Sequence, residues 1–226
     1  MQYVIPPPAR TTVALAESSE LWPVRRVFCV GRNYAEHTRE MGGDPEREAP
    51  FFFMKPADAV VEAGGDIPYP PLTGDLHHEI ELVVAIGTAA VDVSVTEAAR
   101  TVFGYAVGID LTRRDLQAEA KKHGRPWEWG KAFDRSAPVG AIRRRDDVLE
   151  AGGIWLDVNG ERRQTGDLGD MIWSIPEIVS ALSRSVALRP GDLVFTGTPA
   201  GVGPIQRGDR LEAGVDGVGE ISLRIV

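Results

Sequence analysis

The chain has 226 residues, 43% of them hydrophobic and 26% charged, which suits an ordinary globular protein with one sizeable core. Its 33 acidic and 25 basic residues leave a net charge of −8, which argues against a nucleic-acid partner but not against a small anionic substrate held by local arginines. No apolar run approaches a membrane span and no charged-then-apolar leader opens the chain, so a cytoplasmic protein without a membrane partner is expected.

Residues 1–20, with "IPPP" and scattered valines, read as a short lead-in that packs on a main body spanning 21–226. "VRRVFCVG" (24–31) is a β-branched run and predicts a strand; Cys29, the single cysteine, sits inside it as a small buried hydrophobe. "NYAEHTREMG" (33–42) predicts a short helix with Asn33 as its cap, and "PFFFMKP" (50–56) an extended piece between prolines. "GDLHHEIELVVAIG" (74–87) reads as one strand. "VTEAARTVFGY" (95–105) predicts a helix capped by Thr96 over Ala98, Ala99 and Val102. "YAVGIDLT" (105–112) is a buried strand, and "RRDLQAEAKKHG" (113–124) a helix stopped by its glycine. "GIWLDVNGERRQTGD" (153–167) alternates around Asn159-Gly160, a strong hairpin signal. "SIPEIVSALSRSV" (174–186) is an amphipathic helix with proline in its first turn, and 191–199 and 208–226 return to strands and tight turns. Strands outnumber helices and do not alternate with them, so a single β-rich α+β domain is predicted rather than a doubly wound parallel sheet.

Chemistry concentrates in a few places. On a strand, Glu79 and Glu81 share a face, where two carboxylates repel unless a positive charge lies between them. A solvated edge strand would also tolerate them, but "LVVAIG" continues as core on both faces. Asp110 ends the apolar run "GYAVGI"; alone it reads as a helix cap, and with the two glutamates it completes an oxygen-only set that favours Mg²⁺ or Mn²⁺ over Zn²⁺. His37 and Glu40 lie three apart on the predicted helix, the spacing at which a carboxylate orients an imidazole as a base. Lys131, in "PWEWGKAFDRSAP", is either a half-buried cation or an aliphatic stem over aromatic surface. "FTGTPAGVG" (195–203) is a glycine-rich turn able to cradle a carboxylate, and it lacks the phosphate-loop lysine.

Taken in order, "VGRNYAEHTREMG", "PFFFMKPADAVV", "LHHEIELVVAIG", "GYAVGIDLTRRDLQ", "GRPWEWGKAFDRSAPVG", "SIPEIVSALS" and "GDLVFTGTPAGVGP" resemble the fumarylacetoacetate hydrolase family, from about residue 24 to the C-terminus. The likeness is to its short single-domain branch, which includes acylpyruvate hydrolases and oxaloacetate decarboxylases. "REAPFFFMKPADAVV" and "DLTRRDLQ" are most similar to bacterial members that cleave fumarylpyruvate in gentisate breakdown. The resemblance implies a β-roll and a homodimer. It implies Mg²⁺ or Mn²⁺ on Glu79, Glu81 and Asp110, a His37–Glu40 dyad, and Lys131 as catalytic lysine. Arg114, Gln117 and Thr198 match positions near the substrate, and residues 33–48 match a lid. The expected reaction is hydrolysis of a 2,4-dioxo acid, 3-fumarylpyruvate to fumarate and pyruvate, with Arg32, Arg113 or Arg114 on the distal carboxylate. The competing expectations are acylpyruvate hydrolysis, oxaloacetate decarboxylation or tautomerisation at the same site, and a metal-stabilised protein without turnover.

Overall fold

The structure, a computed structural model, describes residues 2–40 and 48–226, with the side chains of Thr38 and Glu40 also outside that description. Its centre is an eight-stranded sheet. Seven strands run in the order Phe51–Lys55, Arg26–Gly31, Asp192–Phe195, Ile80–Ile86, Val102–Ile109, Ala137–Val139 and Val60–Glu62, and Arg143–Arg144 pairs with Val102–Ile109. Most neighbours are antiparallel, while Asp192–Phe195 runs parallel to Arg26–Gly31. Alternation sends Phe28, Val30, Leu82, Val84, Tyr105 and Val107 into one core, and Val27, Cys29, Val83, Ala85, Ala106 and Phe195 into a second beneath Val13 and Trp22. Covering both faces explains why "LVVAIG" is a continuous apolar run rather than an alternating one. Cys29 is fully buried, and burial pushes its thiol well above the usual range, as expected of a packing residue.

A five-stranded sheet closes over the first core, in the order Glu161–Asp167, Gly153–Val158, Arg210–Val215, Gly219–Ile225, Asp66–Ile67. Its first hairpin turns at Asn159 and Gly160, both left-handed, as the predicted two-residue turn requires. A three-stranded sheet, Thr112–Arg113, Leu76–His78, Gly203–Ile205, lies beside them. The architecture is a curled, β-rich α+β fold.

Five short helices are present among the described residues: α1 (Ala35–Glu40), α2 (Val95–Ala99), α3 (Arg114–Lys122), α4 (Glu128–Lys131) and α5 (Ile175–Ser185). Three local expectations are corrected. Asn33 does not cap α1; its amide donates to the Trp173 and Thr196 carbonyls and accepts the Trp173 N–H, pinning the helix's approach to the core. Ser94, not Thr96, caps α2, because Glu97 stands three residues after it and accepts the Ser94 N–H at 2.9 Å while Ser94 Oγ accepts the Glu97 N–H. Val102, placed in that helix by its apolar spacing, instead opens the strand Val102–Ile109. The third concerns "GDLHHEIELVVAIG": it is two strands, Leu76–His78 and Ile80–Ile86, in different sheets, and the chain changes sheet at Glu79.

Candidate active site

Strand parity assembles the site. In the eight-stranded sheet, Phe53, Lys55, Glu81 and Gly108 point to the face of the second core, and Asp110 follows at the same parity just beyond the strand end. Asp110 N–H donates to the Glu79 carbonyl at 2.8 Å, which brings the third acid beside the sheet-changing residue. Ligand oxygens of Glu79, Glu81 and Asp110 lie within 4.8 Å of one another, and all three residues are buried. Asp110 is therefore no helix cap; α3 begins after Arg113 without a side-chain cap.

Buried carboxylates need compensating charge, and two of the three have side-chain cations as partners. Lys131 Nζ donates to Glu79 Oε2 (2.8 Å), Asp110 Oδ2 (2.6 Å) and Thr112 Oγ1 (2.7 Å), which engages all its donors. Its ammonium is thus a buried counter-charge, and the reading of Lys131 as an aliphatic cover for aromatics is set aside. Lys55, fully buried, pairs with Asp110 Oδ1 at 2.8 Å and donates to the Leu111 and Lys131 carbonyls. Arg114 donates to Glu79 Oε1.

Burial alone would raise the Glu79 carboxyl, but the Lys131 and Arg114 charges outweigh it and hold the group below the usual carboxylate range. Burial lowers Lys131, yet Asp110 and Glu79 bring it above the ordinary lysine value. Glu81 differs. It accepts the Gly197 N–H at 2.7 Å, and no side-chain cation pairs with it among the described residues. Burial, then the charges of Asp110 and Glu79, push its carboxyl well above the usual range. A buried, all-oxygen set with one acid short of positive charge fits a hard divalent cation.

The cleft around this set holds about 30 Å³ of free volume, room on the scale of a water or an ion. Its lining includes His37, Arg32, Arg114, Gln117, Lys131 and Thr198, so the structure brings these predicted residues to one place with the three acids. His37 is buried. The Glu40 side chain lies outside the described residues, as do 41–47 of the predicted 33–48 lid. Arg113 does not join them: its guanidinium lies 4.3 Å from the Phe133 ring in a separate groove with Trp129.

Other residues at the site escaped the sequence reading. Lys55 looked like the end of an extended piece, though its parity with Phe53 placed it on the inner face. Gln164, fully buried in the hairpin, accepts from His78 Nδ1 and the Ile80 N–H, and donates to Thr198 Oγ1 (2.8 Å) and the Pro199 carbonyl. Because Ile80 N–H can only donate and Pro199 C=O only accept, the amide has one orientation. It ties the turn that carries Thr198 to the strand that carries Glu81. One polar residue among the six of "ERRQTGD" gives no local sign of such reach. Phe53 and Trp127 form an aromatic wall, with ring centroids 5.8 Å apart.

A curled sheet assembly with a buried three-carboxylate centre at its rim defines a protein of the fumarylacetoacetate hydrolase fold. The pattern of the fumarylacetoacetate (FAA) hydrolase C-terminal domain matches residues 26–226, and the chain belongs to this family. The structure is similar to that of fumarylpyruvate hydrolase from Pseudomonas aeruginosa in complex with Mn²⁺ and pyruvate, at 52% identity and TM-score 0.97, covering 100% of this chain and 99% of that one. It is also similar to 5-carboxymethyl-2-hydroxymuconate delta-isomerase from Mycobacterium smegmatis, at 33% identity and TM-score 0.80, covering 92% and 86%. In sequence it is 42% identical over 203 residues to the mitochondrial oxaloacetate tautomerase FAHD1 of Bos taurus, covering 89% of this chain and 91% of that protein. The family's members are enzymes, hydrolases and tautomerases among them. No helix among the described residues is long and apolar enough to cross a membrane.

Proposed function

We propose that this protein hydrolyses the C3–C4 bond of a 2,4-dioxo acid, taking 3-fumarylpyruvate to fumarate and pyruvate, the last cleavage in gentisate-type ring breakdown. One observation carries the reading: the buried Glu79–Glu81–Asp110 set opens on the same cleft as His37, Lys131 and Thr198. The likeness to a fumarylpyruvate hydrolase bound to Mn²⁺ and pyruvate supports it.

Glu79, Glu81 and Asp110 would hold Mg²⁺ or Mn²⁺, which supplies a Lewis acid that favours negative charge on the three-carbon side. The chain's own groups do the rest. His37, oriented by Glu40, takes a proton from water, and the hydroxide adds to the C4 carbonyl. Lys131 contributes positive charge to the oxyanion at C4. As the C4 carbonyl re-forms, the C3–C4 electron pair passes to the three-carbon fragment, and C3 takes up the proton that His37 removed from water. Thr198 and the Gly197 turn hold the pyruvate carboxylate, while Arg114 and Gln117, linked to each other at 2.7 Å, fix the wall beside Glu79. We propose that the enzyme works as a homodimer in the cytoplasm; light scattering and fractionation test these points.

Oxaloacetate tautomerisation is the second reading, favoured by the 42% identity to FAHD1. The wall of Phe53 and Trp127 favours the longer, unsaturated acyl arm over oxaloacetate. Steady-state kinetics with fumarylpyruvate, acetylpyruvate and oxaloacetate, each under Mg²⁺ and Mn²⁺, decides the matter: fumarylpyruvate is expected to give the highest kcat/KM. A higher value for oxaloacetate would replace this reading with the second.

A further inference from the structure

α3 places Arg114, Gln117 and Lys121 at i, i+3 and i+7, one face of a helix, and all three line the cleft. Arg114 is committed, its guanidinium meeting Glu79, Gln117 and the His77 ring. Lys121 is not. It is half-buried, and no ion pair among the described residues includes it. Its ammonium lies 4.8 Å from the centroid of Trp127, whose ring meets Phe51 edge-on at 4.8 Å. A lysine drawn off into solvent would lose less hydration than one kept here, so the position asks for an anion.

We propose that Lys121 binds the distal carboxylate of the substrate's acyl arm, and so makes the cleft selective for a dicarboxylic 2,4-dioxo acid. This rests on the reaction proposed above. The geometry gives the substrate a direction. The Gly197 turn is bonded to Glu81, and α3, which carries Lys121, is tied to Glu79 through Arg114. A substrate with its keto-acid end at the turn therefore runs past the three acids and along Phe53 and Trp127 toward Lys121. The aromatic wall suits a flat, unsaturated arm. The charged groups that act most on Lys121 are Arg114 on its own helix, Arg32 from the loop after Arg26–Gly31, Glu79 between the sheets, and Lys131 of α4; Glu81, Asp110 and His37 line the same cleft. Burial first, then Arg114 and Arg32, bring its pKa down to about 8, with Glu79 opposing them. The two strongest charge effects on Lys121 are both positive, Arg114 and Arg32, which a bound carboxylate would offset.

The test uses the Mg²⁺-loaded full chain and compares wild type with Lys121→Gln and Lys121→Arg. Fumarate and crotonate are the probes, because a methyl group in crotonate replaces the distal carboxylate. Their binding is measured by titration calorimetry and as competitive inhibition of keto-acid turnover. In Lys121→Gln the preference for fumarate over crotonate should fall about 10- to 100-fold, and Lys121→Arg should restore most of it. The kcat/KM ratio of fumarylpyruvate over acetylpyruvate should fall by a similar factor, chiefly through KM. Equal losses for both acids would mean that Lys121 only shapes the cleft, and an unchanged preference would mean that it binds no carboxylate; either overturns the proposal. Failure of wild type to cleave any dioxo acid would count against the reaction, while the calorimetric preference still judges Lys121.

Discussion

At the scale of single residues, the three acids and the histidine on one cleft have separable duties. Glu81 takes one backbone N–H and no side-chain cation among the described residues, so removing its charge removes a ligand without stranding a lysine. Glu81→Gln should lose divalent-cation binding and turnover together, read by calorimetry and a pyruvate assay. His37→Ala should keep cation binding while turnover falls about 10²- to 10⁴-fold, the usual contribution of a positioned base. Wild-type rates in the histidine variant would remove the base assignment. Lys55 is a different kind of residue: fully buried, with Asp110 and two carbonyls as partners. Lys55→Met leaves Asp110 with an uncompensated oxygen, and urea unfolding should show a loss of about 3–5 kcal/mol.

At the scale of elements, the turn after Asp192–Phe195 governs the geometry on the Glu81 side. Gly197 has φ 96°, and a Cβ there would stand 2.7 Å from Asn33 Cβ. Gly197→Ala therefore meets both backbone strain and a packed neighbour. Its expected cost is about 1–3 kcal/mol in urea unfolding, with a rise in KM as Thr198 and the Glu81 hydrogen bond shift. Legibility in the sequence follows the same division between local and distant signals. Glu79, Glu81 and Asp110 could be read because alternation and an apolar run put acids where acids are expensive. Ser94 was readable in principle, since Glu97 three residues on marks the cap, yet Thr96 competed with it. Gln164 and Lys121 were not, because each looks locally like a surface polar residue; Lys55 shares the parity of Phe53, yet its partners sit on other elements and its role could not be read. The split of "GDLHHEIELVVAIG" was hidden for the same reason: both halves favour extended backbone, and what separates them is which neighbours they pair with.

Over the whole molecule, the β-rich α+β architecture expected from strand count and irregular alternation is the one observed. The cleft lies where the eight-stranded and three-stranded sheets meet the turn held by the hairpin's Gln164, so folding and ligand binding are coupled. A cation that binds the folded chain alone stabilises it by mass action, about 2.7 kcal/mol at a hundredfold excess over Kd. Thermal melts should therefore show Tm rising with added Mg²⁺ or Mn²⁺ and falling on chelation, and Glu81→Gln should abolish the shift. A Tm indifferent to both would separate the acidic set from any metal.

Glu79 is the single residue between Leu76–His78 of the three-stranded sheet and Ile80–Ile86 of the eight-stranded one, whereas Glu81 is embedded in a strand. The gap between these two acids therefore depends on how the two sheets meet as well as on the side chains themselves. Substitutions far away, in the packing that seats one layer on the other, would retune which ionic radius the pair accepts while leaving every ligand in place.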